Sequence, residues 1–174
     1  MLDEAVVAMT DALRRTGNAS SLHTAGRRAR RDVEEARERI GAAVGARPSE
    51  VVFTTGGTES DNMALRGSAE LLGPQAKIIT SRVEHPAVLG PCRRLRETGF
   101  REIELPVDSG GQVDLDTLRE ALKDGAPAIV SLMWANNETG VVFPMEEIAR
   151  IAKAAGAVLH TDAVQVAGKL PIDV

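Results

Sequence analysis

Apolar and polar positions recur along this chain with two periods, and the switches between them divide it into helices and strands. Residues 3–15 carry an amphipathic helical pattern, followed by the turn-rich loop TGNASSLHTAG over 16–26. The next helix sets Ala29, Val33, Ala36, Ile40 and Ala43 on one stripe, at steps of 4, 3, 4 and 3. Gly45 is placed to end that helix, and Pro48 bars its continuation. Val51, Val52 and Phe53 then read as a short buried strand within 51–54. From there, helices at 58–72, 86–98, 114–123 and 144–155 alternate with strands at 77–81, 101–105, 128–134 and 157–161. Strand runs separated by helices of about ten residues or more mean βαβ units. The expected fold class is therefore α/β, a mostly parallel sheet flanked by helices. There are no internal repeats, low-complexity tracts or clear linkers, and 174 residues suit one domain over 1–174.

Composition narrows the function classes. Aromatic residues are scarce, with three Phe, one Trp and no Tyr, so stacking platforms for single-stranded nucleic acid are not expected. The net charge of −4 offers no basic footprint for nucleic acid or an anionic membrane. Arginines do cluster at 27, 28, 30 and 31, but Glu34, Glu35 and Glu38 follow on the same helix. Pairs such as Arg30–Glu34 and Arg31–Glu35 then make a solvated face. No apolar run is long enough to span a membrane, and the acidic start MLDEAVVAM lacks a signal-peptide pattern. A single cysteine, Cys92, excludes an internal disulfide and fits a reducing cytoplasm.

In parallel sheets ligands bind beyond the carboxyl ends of the strands, so the residues just after each strand carry the information. They are TGGTES after 51–54, EHPAV after 77–81, NNETG after 128–134 and DAVQ after 157–161. Gly56-Gly57 followed by Thr58-Glu59-Ser60-Asp61 makes a turn into a helix, whose free N–H groups and positive dipole end suit phosphate. The plainer alternative there is a strand-to-helix turn with Thr58 as N-cap and Asp61 as its capping acid. Each cluster alone is ordinary turn chemistry; converging on one rim, the four are not. A phosphate at Gly57-Thr58, a ring under His85, an acid at Asp162 and an uncharged partner at Gln165 are the equipment for pyridoxal phosphate.

The segments FTTGGTESDN, EHPAVL, NNETGV and TDAVQ…GKLPIDV resemble the signature blocks of the cysteine desulfurases of the NifS/IscS group, in the same order with similar spacing. GNASSLHTAGRRAR also resembles their N-terminal block, and the resemblance runs from residue 1 to residue 174. These are pyridoxal 5′-phosphate enzymes of the class V aminotransferase family. The resemblance implies the large domain of fold-type I enzymes, cut at both ends and without the small C-terminal domain. It implies that Gly57 and Thr58 hold the phosphate, and that His85 stacks on the ring and takes part in proton transfer. Asn137 and Gln165 would then approach the phenolic oxygen, and Asp162 would pair with the pyridinium. It further implies L-cysteine as substrate, with alanine and a persulfide as products, sulfur-acceptor or scaffold proteins as partners, and a homodimer. The acceptor is left open among iron–sulfur assembly, tRNA thiolation and DNA modification.

The family's cofactor-bearing lysine sits in a Ser-x-His-Lys block beyond the GKLPIDV segment, and its persulfide cysteine lies further on. Neither block occurs in these residues. Lys77, Lys123, Lys153 and Lys169 have another context, and Cys92 falls on a buried helix face with Val88, Leu89 and Leu95. The expectation is non-covalent cofactor binding without desulfurase turnover by this chain alone. The alternatives are another class V enzyme, such as a selenocysteine lyase or an aminotransferase, and a non-enzymatic cofactor-binding remnant. A plain nucleotide-binding module is disfavoured, because there is no G-x-G-x-x-G run.

Overall fold

The computed structural model describes residues 2–174, which gather into two compact units, residues 2–53 with 172–174 and residues 54–171. The first unit is helical. Helix α1 spans Asp3–Leu13 and buries none of its side chains. Helix α2 spans Thr24–Val44 and starts at His23, whose Nδ1 accepts from Gly26 N–H at 3.2 Å. It ends at Gly45 in the left-handed conformation (φ 75°), as the sequence places it. Its stripe is only partly covered: Val33 and Ile40 remain 38% and 43% exposed. The ion pairs on its polar face are Arg37–Glu34, Arg39–Glu35 and Arg15–Asp32, in place of the two pairs expected from spacing.

Residues 51–54 are not a strand. The chain is extended at Val51 (φ −86°, ψ 121°), but no strand pairs with it among the described residues, and Val52 and Phe53 are exposed. An apolar run becomes a strand only where a neighbour takes its backbone groups. Here the Arg37 guanidinium does so, donating to the Val51 carbonyl and lying over the Phe53 ring.

The second unit is the α/β body. Four strands, β1 (Lys77–Ser81), β2 (Arg101–Leu105), β3 (Ala128–Ser131) and β4 (Val158–His160), form a wholly parallel sheet in the order β2-β1-β3-β4. Helices α3 (Gly57–Leu72), α4 (Pro86–Glu97), α5 (Leu115–Leu122) and α6 (Met145–Ala154) make up the rest. The inner strands β1 and β3 are buried at every residue, as a parallel sheet covered on both faces requires. Successive side chains point to opposite faces. Ile78 and Ile129 thus pack with Leu65 and Ala69 of α3 and Val88, Cys92 and Leu95 of α4. Ile79 and Val130 pack with Leu118 and Leu122 of α5 and Ile148 and Ala152 of α6. Burial pushes the Cys92 thiol up to about 12, so it behaves as a small apolar group. At the amino end of β1 the buried Lys77 ammonium is satisfied by Asp124 and the Ala121 carbonyl. No helix among the described residues is long and apolar enough to cross a membrane.

Candidate active site

The carboxyl ends of β1, β3 and β4 and the amino end of α3 open into one cavity of about 270 Å³. Its lining includes Gly57, Thr58, His85, Asn137, Asp162 and Gln165, so all six residues singled out in the sequence meet there. Asp61, Met133 and Val164 join them.

On one side stands the α3 terminus. Gly56 makes the turn, and the first helical bond runs from Ser60 N–H to the Gly56 carbonyl at 3.1 Å. The N–H groups of Gly57, Thr58 and Glu59 therefore have no intrahelical partner. A Cβ built on Gly57 would lie 3.4 Å from Val164 Cγ2, an ordinary packing distance, so these two cavity residues are close neighbours. The cap differs from the expectation of Thr58 with Asp61. Thr58 lies inside the helix, and the capping acid is Glu59, which accepts from Thr55 N–H and Oγ1 at 2.7 Å each. Those bonds hold its carboxyl below the usual range.

The loop after β1 ends at His85, which caps α4 by accepting from Ala87 N–H at 3.1 Å through Nδ1. A nitrogen that accepts from an N–H bears no proton, so the neutral ring carries its proton on Nε2. The loop after β3 divides its two asparagines. Asn136 is buried and structural: its Nδ2 donates to the Val83 carbonyl, and its Oδ1 accepts from Glu138 and Thr139 N–H. Asn137 is exposed and reaches the cavity. After β4, the Asp162 carbonyl accepts from Trp134 N–H and its Oδ1 from Val164 N–H, both at 3.0 Å. Gln165 Oε1 accepts from Lys169 Nζ at 3.0 Å; Lys169 itself is outside the cavity lining.

Sequence reasoning passed over a polar layer below the cavity. Glu84, 5% exposed, accepts from Met133 N–H at 2.9 and 3.0 Å and from Ser81 Oγ at 2.7 Å, tying the loops after β1 and β3 together. Burial pushes its carboxyl up to about 7, against the two hydrogen bonds, with Asp162 adding to the rise. Asp61 is 4% exposed, with His160 Nε2 3.4 Å from its Oδ1. The signal for Asp61 was present in the spacing: it shares the α3 stripe of Leu65 and Ala69 at steps of four.

The site is bipolar. Unpaired N–H groups at a helix start favour an anion, and the carboxylates of Asp61 and Asp162 favour a cation. A single-ring ligand with a phosphate at one end and a protonated ring nitrogen at the other has matching charges, and pyridoxal phosphate is such a ligand.

The class-V aminotransferase family model matches residues 1–174, the whole length of these residues. The chain belongs to the class-V aminotransferase family. Within the family, it is 50% identical over 159 residues to cysteine desulfurase IscS of Dictyoglomus turgidum, a match covering 91% of this chain and 40% of that protein. A NifS-like protein of known structure superposes with a TM-score of 0.92 at 36% identity, over 100% of this chain and 48% of its own. SspA in complex with cysteine superposes at 0.93 with 33% identity, over 100% of this chain and 50% of its own. The chain thus spans no more than about half the length of these class-V relatives.

Proposed function

We propose that this chain binds pyridoxal 5′-phosphate and L-cysteine as the cofactor-binding part of a cysteine desulfurase, which removes sulfur from cysteine to leave alanine and a persulfide. The observation that carries the reading is the convergence of six residues, from four separate stretches of sequence, on one bipolar cavity. Relatives named as cysteine desulfurases, and a structural neighbour solved with cysteine, favour it over a selenocysteine lyase or an aminotransferase.

When bound, pyridoxal phosphate supplies an electron sink. In this reading the Gly57, Thr58 and Glu59 N–H groups hold the phosphate. His85 offers its ring face and an Nε2–H, and Asp162 holds the proton on the ring nitrogen. Asn137 and Gln165 hydrogen-bond the ring oxygen without adding charge. The reading extends to a sulfur-acceptor or scaffold protein, a cytoplasmic setting and a homodimer. The lone buried thiol supports the reducing compartment. The apolar residues left exposed on α1 and α2, among them Val6, Met9, Val33 and Ile40, support self-association.

Titration of the full apo chain with pyridoxal 5′-phosphate, followed by Trp134 fluorescence, tests the site. Saturable quenching is expected, because the Trp134 backbone bonds to Asp162. Asp162→Asn should weaken binding about tenfold, the size of one charge-assisted hydrogen bond. Wild-type affinity in that variant would remove Asp162 from the site.

A further inference from the structure

A carboxylate on the buried stripe of a helix is costly unless something pairs with it. Asp61 occupies such a position on α3, yet its Oδ2 is buried and has no hydrogen-bond partner. Its neighbour is His160, at the end of β4, whose Nε2 lies 3.4 Å from Oδ1. The other nitrogen of that ring, Nδ1, is 2.9 Å from Oγ of Ser131, a fully buried residue of β3. With the Ser131 hydroxyl donating to Nδ1, the imidazole proton resides on Nε2 and faces Asp61. Three elements thus fix one side chain, and that side chain lines the cavity together with Asp162. Glu84, a further ionisable group of this layer, is already occupied by Met133 and Ser81. Asp61 is the buried acid of this layer whose Oδ2 has no hydrogen bond to balance its charge.

We propose that Asp61 is a second carboxylate of the ring site, held in place by His160 on Ser131, and that its charge, unbalanced at Oδ2, favours a cationic ring bound to Asp162 in the cavity it lines. The proposal rests on the cofactor reading above and adds to it one binding residue, Asp61, and one positioning residue, His160. It also accounts for a buried acid that the packing of α3 does not otherwise explain. Two carboxylates select the protonated form of a pyridine ring over an uncharged ring of the same shape.

The test compares two probes on the full apo chain by calorimetry, with inorganic phosphate as control. One is 4′-deoxypyridoxine 5′-phosphate, which has no aldehyde to react with lysines. The other is its analogue with carbon in place of the ring nitrogen. The wild type should prefer the pyridine. In Asp61→Asn that preference should fall about tenfold, the size of one nearby opposite charge, while phosphate affinity stays the same. His160→Leu should lower the preference as well, whereas His160→Gln keeps an N–H toward Asp61 and should return it to near the wild-type value. The His160 pair decides the matter if Asp61→Asn fails to fold. A wild type that discriminates, with variants that discriminate equally, overturns this inference alone. Equal loss of both probes and of phosphate overturns it too, since that is damage to the fold. A wild type that binds neither probe overturns the cofactor reading and this inference together.

Discussion

Helices α2 and α3 have the same kind of sequence and opposite fates. Each carries small and apolar residues on one stripe with charges elsewhere, and each starts after a turn and ends at a glycine. On α3 the stripe of Asp61, Leu65 and Ala69 is buried, with Leu65 fully enclosed by Ile78, Val88 and Ile129 among others. On α2 only Gly26 and Gly41 are buried, and both are places where a Cβ would collide with backbone within 3 Å. Periodicity makes a helix amphipathic; it does not supply the surface that covers it. In the α/β unit that surface is the sheet. On the helical unit, within one copy of the chain, the stripe stays partly in solvent.

The sharpest way to break this contrast is to cut equal pieces from the two stripes. Leu65→Ala should destabilise the chain by about 2–5 kcal/mol, the usual range for a buried leucine, as measured by urea unfolding. A loss below about 1 kcal/mol would mean that the α3 stripe is no better covered than that of α2.

Glu84 sharpens the contrast through pH, because only the α/β unit buries an acid under its site. Its carboxyl is raised in the folded state to about 7, above the ordinary value of 4.5. The folded state therefore holds a proton that the unfolded chain gives up, so this contribution is present in full below pH 4.5 and is lost as pH rises through 7. Across that window the loss amounts to roughly 3 kcal/mol. Glu84→Gln should remove it, making the variant gain on the wild type as unfolding is measured first at pH 5 and then at pH 8. Parallel pH profiles would mean that Glu84 is ionised in both states.

The smallest effect belongs to the helical unit. Ile40→Ser should change the stability of a single copy by no more than about 0.5 kcal/mol. If the homodimer uses this face, the same substitution should lower the weight-average mass in sedimentation at fixed concentration. A large loss of stability in a monomer would show that the α2 stripe is covered after all.

Most of the α/β unit was legible because βαβ units advertise themselves. The strands from residue 77 onward begin within a residue of their apolar runs, and every helix boundary there falls within a residue of its expected place. Strand β3, however, ends at Ser131 and not at 134, because Met133 N–H turns to Glu84 and Trp134 N–H to the Asp162 carbonyl. The six cavity residues were legible for a related reason: parallel strands place whatever follows them on one rim. Strand 51–54 failed because its neighbour had to come from elsewhere in the chain, and Arg37 took its carbonyl instead. Asp61 enters the sequence reading only as the capping acid of the plainer alternative, because its spacing from Thr58 fits one, while its spacing from Leu65 and Ala69 fits a buried stripe equally well. Local sequence does not rank the two.

The sequence by itself determined the order of elements, the parallel sheet and the set of residues at its carboxyl edge. Those follow from side-chain period and turn chemistry, which act over a few residues. Only the tertiary structure decided which stripes are covered, which acids are buried and which of them is left without a partner. Burial, desolvation and pairing depend on what lies across a gap in space, and Ser131, His160 and Asp61 come within reach of one another only when α3 settles on β3 and β4.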